Sequence, residues 1–414
     1  MIWGAGLWGE KALDILSSYK NAYNVVAFGD NDSNKIGKKF CGKPIWGSAA
    51  LERDAQIELI IVAASAVKTV EIKKQLEKTV SVPIFVYEDI MNQLLLPRIS
   101  IDISGFCNAK CKWCVTGRKN LVHELHNSSY MSYEEFCETY SHLYKNGIIG
   151  KGTEIMLYSW GEPLLNKDYV QIIEFLAEQE QRFSVSTNAS NLQLVQRKDA
   201  YRNCCSFIFS MPGFSEESYT RIHGFHFNKI RENIVKINDN LKEHGFAGNG
   251  SISFHVYQFN HAEIADARNF SEDLGLSFNP YYPYFNGNSL MEDFLEGQMD
   301  ETVLNEAKEE LHLTHVEELL KKRPKDYRCF LENIISIDCK GNLVLCCAAD
   351  SDLIDYSWGS IFQVSSFEDM KAKRKEMLQC QSCQKCRKLG MDYWLGNNPP
   401  YHGGILQAGD MGTN

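Results

Sequence analysis

The sequence predicts an α/β protein with two units built on parallel sheets and a small cysteine-rich unit at the end. Residues 1–92 alternate strand and helix signals, which is typical of a parallel sheet. After Pro97 the alternation restarts with six strand-like runs, and six such repeats predict a partial (β/α)6 TIM barrel rather than the complete eightfold barrel. Ten of the 14 cysteines then fall within 107–114 and 329–386.

These patterns divide the chain into five segments. We expect a parallel-sheet domain at 1–92, the barrel at 93–300, a charged helical linker at 301–325, the cysteine-rich domain at 326–395 and a tail at 396–414. The predicted barrel strands are 98–104, 153–159, 182–187, 205–211, 250–257 and 277–282, and helices are expected at 132–146, 166–179, 228–243 and 261–274.

Composition narrows the function classes. The 414 residues are 44% hydrophobic and 23% charged, an ordinary globular mixture long enough for two or three domains. The net charge of −10 and the lack of an extended basic run argue against a nucleic-acid partner. The longest apolar run, 59–67, is about half a membrane span, and the N-terminus does not read as a signal peptide. We therefore expect a cytoplasmic protein without a membrane partner, in which clustered thiols bind metal or carry out redox chemistry.

The first cysteine motif follows the first barrel strand. Cys107, Cys111 and Cys114 have CxxxCxxC spacing on one loop. Three thiolates can hold three irons of a [4Fe–4S] cluster and leave the fourth iron open to a small molecule. The alternatives are three structural thiols or a zinc site, although a structural zinc usually takes four ligands.

The residues after the next three strands extend this motif. Together with the cysteines, Trp160-Gly161-Glu162-Pro163, Ser184-Val185-Ser186-Thr187-Asn188 and Ser210 resemble the radical SAM (S-adenosylmethionine) superfamily from Cys107 to about Tyr284. The resemblance implies reductive cleavage of SAM to a 5′-deoxyadenosyl radical, with electrons from a flavodoxin- or ferredoxin-type reductant. It also implies that SAM contacts Trp113 at its adenine, Gly161 and Glu162 at its amino group, Ser186 and Asn188 at its ribose, and Ser210. Trp160 replaces the first glycine of the family's GGEP motif.

The second cysteine group resembles the SPASM/Twitch extension found in radical SAM enzymes. Cys329 is followed by eleven residues, Gly341, four residues and Cys346, and Cys380, Cys383 and Cys386 come later. Gly341 permits a tight hairpin turn that brings the first two cysteines to one side. The resemblance implies one auxiliary [4Fe–4S] cluster held by Cys329, Cys346 and two of the last three, with Cys383 and Cys386 preferred. A zinc ribbon is the alternative.

The N-terminal segment carries a dinucleotide fingerprint. Gly4, Gly6 and Gly9 have GxGxxG spacing, and Asp30 follows about twenty residues later. The stretch from Phe28 also resembles small Rossmann-like domains attached to sugar-modifying enzymes. This domain either binds a nucleotide-linked substrate handle or serves only for docking.

The expected substrate is carbohydrate-like: a sugar, an aminocyclitol or a nucleotide-linked sugar that is dehydrogenated or epimerised. Cys347 is a candidate hydrogen-atom donor beside a predicted ligand. Two alternatives remain, a peptide-modifying maturase and a non-catalytic iron–sulfur electron carrier. The candidate substrate residues lie near strand ends or face inward by alternation; they are Tyr158, His255, Tyr257, Asn279 and Tyr281.

Overall fold

The computed structural model describes residues 1–18, 24–51, 57–64, 66–87, 98–121, 129–325, 327–351 and 353–397. Its first sheet has six strands in the order β3-β4-β2-β1-β5-β6 and is parallel except for the β3–β4 pair. The strands are β1 (Ile2–Trp3), β2 (Phe28–Gly29), β3 (Lys39–Phe40), β4 (Lys43–Trp46), β5 (Ile60–Val62) and β6 (Ile84–Val86), and the helices are α1 (Leu7–Ser18), α2 (Ser48–Leu51) and α3 (Ala66–Leu76).

The second sheet contains the predicted barrel. Its six parallel strands run in chain order from β7 to β12, which confirms the fold class. The strands are β7 (Arg98–Ile101), β8 (Glu154–Met156), β9 (Arg182–Thr187), β10 (Cys204–Met211), β11 (Asn249–His255) and β12 (Ser277–Tyr281). The helices are α4 (Val115–Leu121), α5 (Tyr133–Lys145), α6 (Tyr169–Glu178), α7 (Glu216–Ile222), α8 (Phe227–Glu243) and α9 (Ile264–Asp273).

Alternation along the barrel strands separates a packed face from an inner face. Phe207 and Phe209 of β10 and Phe254 of β11 are fully buried in the main core. Residues at the alternate positions of these strands, such as Ser210 and His255, are partly exposed on the inner face. Because side chains alternate between faces along a strand, these partly exposed residues share the inner face of the barrel sheet, here called the lumen.

A C-terminal hairpin continues the barrel sheet. Strands β13 (Ile335–Ile337) and β14 (Asn342–Val344) pair antiparallel across Gly341, whose φ of +75° suits the predicted turn. Strand β13 also pairs in parallel with β7, and β15 (Ser357–Ser360) completes the edge. The predicted cysteine-rich domain therefore shares a sheet with the barrel.

The remaining helices cover the open side of the barrel and the hairpin. The linker forms two helices; the last two helices pack against each other, and the last one also packs against the second linker helix. They are α10 (Asn288–Leu295), α11 (Glu301–Glu310), α12 (Thr314–Lys321), α13 (Phe367–Met377), α14 (Gln381–Leu389) and α15 (Met391–Asn397). None of the helices that the structure describes could cross a bilayer. The predicted boundary at 92/93 and the tail beyond 397 lie outside the described residues.

Candidate active site

The first three cysteines lie on the loop that joins β7 to α4. The side chain of Asn120 fixes this loop, because its Nδ2 donates to the carbonyls of Cys107 at 2.7 Å and Ala109 at 2.5 Å. At the other end the carbonyl of Trp113 accepts from the backbone N–H of Asn286 at 2.7 Å. The loop is therefore held by two segments that follow it in the chain and not only by its own turn.

The three thiols are partly exposed, and each is free of a disulfide. Burial raises the pKa of Cys107, Cys111 and Cys114, so the thiolates need positive charge from a metal group to form at neutral pH. Side-chain amides approach two sulfurs: Asn188 Nδ2 lies 3.7 Å from Cys107 Sγ, and Asn286 Nδ2 lies 3.9 Å from Cys114 Sγ.

Three thiols on one loop are the ligand set that a [4Fe–4S] cluster takes from a protein when one iron stays open. Among the described residues, no three His, Cys, Asp or Glu side chains converge closely enough to hold a single metal ion. A [4Fe–4S] cluster binds each thiolate at a different iron, so its ligands surround a space instead of converging on one ion. A Cβ on Gly117 would overlap the carbonyl of Cys111, so the start of α4 can pack against the loop only because residue 117 is glycine.

Glu162 joins the loop after β8 to the end of β9. Its Oε1 accepts from the N–H of Leu164 at 3.0 Å and the hydroxyl of Thr187 at 2.6 Å, and its Oε2 accepts from the N–H of Asn188 at 2.7 Å. Burial raises the pKa of Glu162 to about 7 despite these bonds. A carboxylate has about four acceptor sites, so one remains for the predicted ammonium contact.

Asp102 is a site residue that the sequence analysis did not single out. It follows β7, is buried, and accepts at Oδ2 from the backbone N–H groups of Trp160 at 3.0 Å and Gly161 at 3.3 Å. Its Oδ1 is buried, and no hydrogen bond to it is found in the described part of the chain. A Cβ on Gly161 would overlap the Ser104 carbonyl, so this loop lies directly on the chain leaving β7. Asp102 thus positions the predicted SAM loop.

The inner face of β10 to β12 brings several predicted residues together. The hydroxyl of Ser210 lies 3.2 Å from His255 Nε2, and the rings of His255 and Tyr281 are 5.0 Å apart. Burial lowers the pKa of His255 to about 4, so its imidazole is neutral at pH 7. A predicted SAM contact and a predicted substrate contact therefore touch.

The other predicted lumen residues differ in exposure. Ser186 is partly exposed on β9, and Asn279 is exposed on β12. Tyr257, by contrast, is buried and stacks on Phe259 with centroids 5.2 Å apart. Tyr158 packs in one cluster with Cys347.

Four C-terminal cysteines line one cavity that opens to solvent: Cys329, Cys346, Cys383 and Cys386. The fifth, Cys380, instead caps α14 by accepting from the N–H of Cys383 at 3.4 Å. This placement agrees with the preferred ligand set, which remains a prediction.

Arg374 connects the two chain segments that line this cavity. It is buried on α13, and its guanidinium donates to the carbonyls of Leu331 at 2.8 Å, Glu332 at 3.0 Å and Leu345. These carbonyls flank the segments that carry Cys329 and Cys346. No sequence motif marks Arg374, because an arginine in a charged helix reads as solvent-exposed.

The N-terminal glycines differ in how closely other backbone atoms approach them. A Cβ on Gly4 would overlap the Ala63 carbonyl, whereas Gly6 has nothing within 4 Å. Asp30 Oδ2 accepts from the N–H of Ala5 at 3.0 Å and Lys35 Nζ at 3.0 Å. Burial alone would raise the pKa of Asp30, but these bonds and one from the Asp32 N–H lower it. Asp30 thus ties the glycine loop together, and its predicted nucleotide contact stays a prediction.

Comparisons with known proteins follow the same division of the chain. Residues 101–270 match the model of the radical SAM superfamily, and residues 1–84 match the model described as C2185-like, N-terminal. No curated protein matches the chain in sequence.

Solved structures with a similar arrangement share little sequence with this chain. Streptococcus suis SuiB bound to S-adenosylmethionine is 14% identical over 72% of this chain and 68% of its own, with a TM-score of 0.42. The enzyme anSMEcpe with bound AdoMet is 14% identical over 70% and 82%, with a TM-score of 0.42. BtrN in complex with AdoMet and 2-DOIA is 14% identical over 71% and 87%, with a TM-score of 0.32.

The superfamily match covers the strand-end motifs from the first cysteine loop to the inner face of β11, and members of this superfamily use a [4Fe–4S] cluster and SAM. Residues 101–270 thus form a radical SAM domain.

Proposed function

We propose that this radical SAM enzyme abstracts a hydrogen atom from a carbohydrate-type substrate and thereby dehydrogenates or epimerises it. Cys107, Cys111 and Cys114 hold the [4Fe–4S] cluster. When bound, the cluster and SAM supply a 5′-deoxyadenosyl radical that takes the hydrogen atom. The proposed SAM contacts lie at the carboxyl ends of the barrel strands; they are Trp113, Gly161, Glu162, Ser186, Asn188 and Ser210.

The contact between Ser210 and His255 carries this proposal. The two side chains lie 3.2 Å apart, one assigned to SAM and the other to the substrate. Hydrogen-atom transfer needs the reacting atoms within van der Waals distance, so the two binding sites must adjoin. Their junction in the lumen is where we place the substrate's reactive C–H bond.

The chemistry of the lumen favours a polyhydroxylated substrate. Ser210, Ser253 and Asn279 form one row across three neighbouring strands, and His255 and Tyr281 form the next row. Hydroxyl, amide and neutral imidazole groups both donate and accept hydrogen bonds. Such a surface suits sugar hydroxyls, which have the same double capacity.

The C-terminal cavity supports a second cluster held by Cys329, Cys346, Cys383 and Cys386. The buried cation Arg374 beside it would offset the negative charge of four thiolates. A one-electron acceptor at this position suits dehydrogenation, in which the substrate radical loses one electron to the acceptor and one proton to solvent. Epimerisation instead needs a hydrogen-atom donor, and Cys347 is our candidate. The first reducing electron would come from a flavodoxin- or ferredoxin-type protein.

A peptide substrate is the second candidate, because β12 is an edge strand of the described sheet. An extended peptide could add to that edge through main-chain hydrogen bonds and lie across Asn279 and Tyr281. This candidate keeps the radical chemistry and changes only the substrate.

The test is SAM cleavage by anaerobically reconstituted protein with dithionite, followed as 5′-deoxyadenosine by mass spectrometry. Sugars, aminocyclitols, nucleotide sugars and a peptide library are added in separate reactions. Stimulation by one carbohydrate is the expected result. The variant His255→Gln should reduce this stimulation more than the unstimulated rate, because His255 is a proposed substrate contact and reaches the proposed SAM site only through Ser210.

The other outcomes separate the alternatives. Stimulation by peptides alone would move the substrate assignment to the second candidate. No cleavage by a protein that carries its full iron complement would contradict the proposed enzyme and favour an iron–sulfur electron carrier.

A further inference from the structure

A buried carboxylate in the linker reaches the first cysteine loop. Glu310 is the last residue of α11, and its side chain is 2% exposed. Three groups donate to it: Trp113 Nε1 at 2.9 Å, Lys112 Nζ at 3.3 Å and Arg221 Nε at 2.9 Å. Lys112 and Trp113 are the two residues between Cys111 and Cys114.

Glu310 is itself held in place on its far side. Its backbone carbonyl accepts from the N–H of Gln258 at 3.0 Å, in the loop that follows β11. The guanidinium of Arg221 also lies 4.1 Å over the ring of Phe259. A carboxylate buried this deeply is costly unless its acceptor sites are filled, and here three donors fill them.

We propose that Glu310 is a positioning residue for the cluster-binding turn from Cys111 to Cys114. It fixes the indole of Trp113 and the ammonium of Lys112, and thereby sets the backbone that presents the two thiols. It also forms ion pairs with Lys112 and Arg221 beside the cluster-binding turn. This inference rests on the superfamily's cluster and is independent of the substrate class in the proposed function.

The same helix offers a matched control. Glu306, one turn earlier, lies 3.5 Å from the same Lys112 Nζ, but its side chain is 51% exposed. Glu306→Gln therefore removes a neighbouring carboxylate of the same kind. It leaves the bonds from Trp113 and Arg221 to Glu310 in place.

The experiment compares wild type, Glu310→Gln, Glu306→Gln and Trp113→Phe after anaerobic reconstitution. It measures iron per chain, the EPR spectrum of the reduced cluster with and without SAM, the dissociation constant of SAM, and Tm. We expect Glu310→Gln to alter the SAM-dependent EPR spectrum and to weaken SAM binding about tenfold, because charge-assisted bonds to a buried group are lost. Trp113→Phe should change the EPR spectrum and the SAM affinity in the same direction but by a smaller amount. Glu306→Gln should match wild type in both measurements.

A purely structural role would lower Tm without changing the EPR spectrum or SAM affinity of the folded fraction, and that result would overturn the inference. Equal effects of Glu310→Gln and Glu306→Gln would overturn it as well. Trp113→Phe decides the case if Glu310→Gln does not fold, since it removes one donor and leaves Lys112 and Arg221 to pair the carboxylate. Wild-type EPR and SAM affinity in Trp113→Phe would then contradict the proposal.

Discussion

Trp160 connects the SAM loop to the second cysteine group, and its replacement should loosen that group selectively. It occupies the position of the first glycine in the motif that this loop resembles. Its Nε1 donates at 2.8 Å to the carbonyl of Ala349, a fully buried residue three positions after Cys346. Trp160→Phe keeps an aromatic ring and removes the donor.

The expected size of the effect follows from the buried carbonyl. Leaving a buried acceptor without its partner costs about 1–3 kcal/mol. Since about 1.4 kcal/mol is a factor of ten, the open form of the loop that carries Cys346 should become roughly 5 to 150 times more populated. The loop from Cys107 to Cys114 keeps its bonds to Asn120 and Asn286, so its opening should not change.

The assay is iron release from anaerobically reconstituted protein to a coloured chelator. Two [4Fe–4S] clusters hold about eight irons, and about half of this iron should leave at least fivefold faster in Trp160→Phe than in wild type. Trp358→Phe is the matched control, because Trp358 Nε1 also donates to a backbone carbonyl, that of Asp355, at 2.9 Å within the same hairpin region. Equal release rates in Trp160→Phe, Trp358→Phe and wild type would refute the reasoning.

Three further predictions test other parts of the site. Cys383→Ser should lower bound iron by about half and Cys380→Ser should not, because only Cys383 of these two lines the cavity. An equal loss of iron in the two variants would place Cys380 among the ligands. Burial raises the pKa of Asp102 to about 7. Protonation of Asp102 therefore stabilises the fold fully at pH values below the ordinary pKa of an aspartate, and this stabilisation is lost as pH rises through 7. Asp102→Asn should therefore raise Tm relative to wild type more at pH 8 than at pH 6, and a pH-independent difference in Tm would contradict this. Gly117→Ala should displace the Cys111 carbonyl and lower the iron bound by the first loop, which iron analysis and visible absorbance would show.

The barrel strands were predictable because local signals mark them. The predicted strand 182–187 is observed as Arg182–Thr187, and 205–211 as Cys204–Met211. Each is an apolar, β-branched or aromatic run that alternates and ends at turn residues. Because parallel strands end at one edge of a sheet, the order of the motifs also predicted which residues share the site.

Other features depend on contacts between distant segments and left no local signal. Glu310 lies in a charged segment that reads as solvent-exposed, yet its donors come from residues far away in sequence. Strand β4 carries no clear strand signal in the sequence, because its residue Pro44 cannot donate to a sheet ladder. Its neighbour Ile45 nevertheless donates to the carbonyl of Lys38 and makes the short antiparallel pair.

The pairing of β13 with β7 explains how the two cysteine groups are held in one arrangement. Ile337 pairs with Ile101, and the next residue on the β7 side is Asp102, whose N–H donates to the carbonyl of Ile337 at 2.9 Å. The carboxylate of Asp102 then accepts from the N–H of Trp160, and the indole of Trp160 donates to the carbonyl of Ala349. An unbroken series of hydrogen bonds therefore runs from the strand that leads into the first cysteine loop to the loop that carries Cys346. Since each link is buried or half-buried, the two groups should move together and keep their separation, which a flexible linker alone would not ensure.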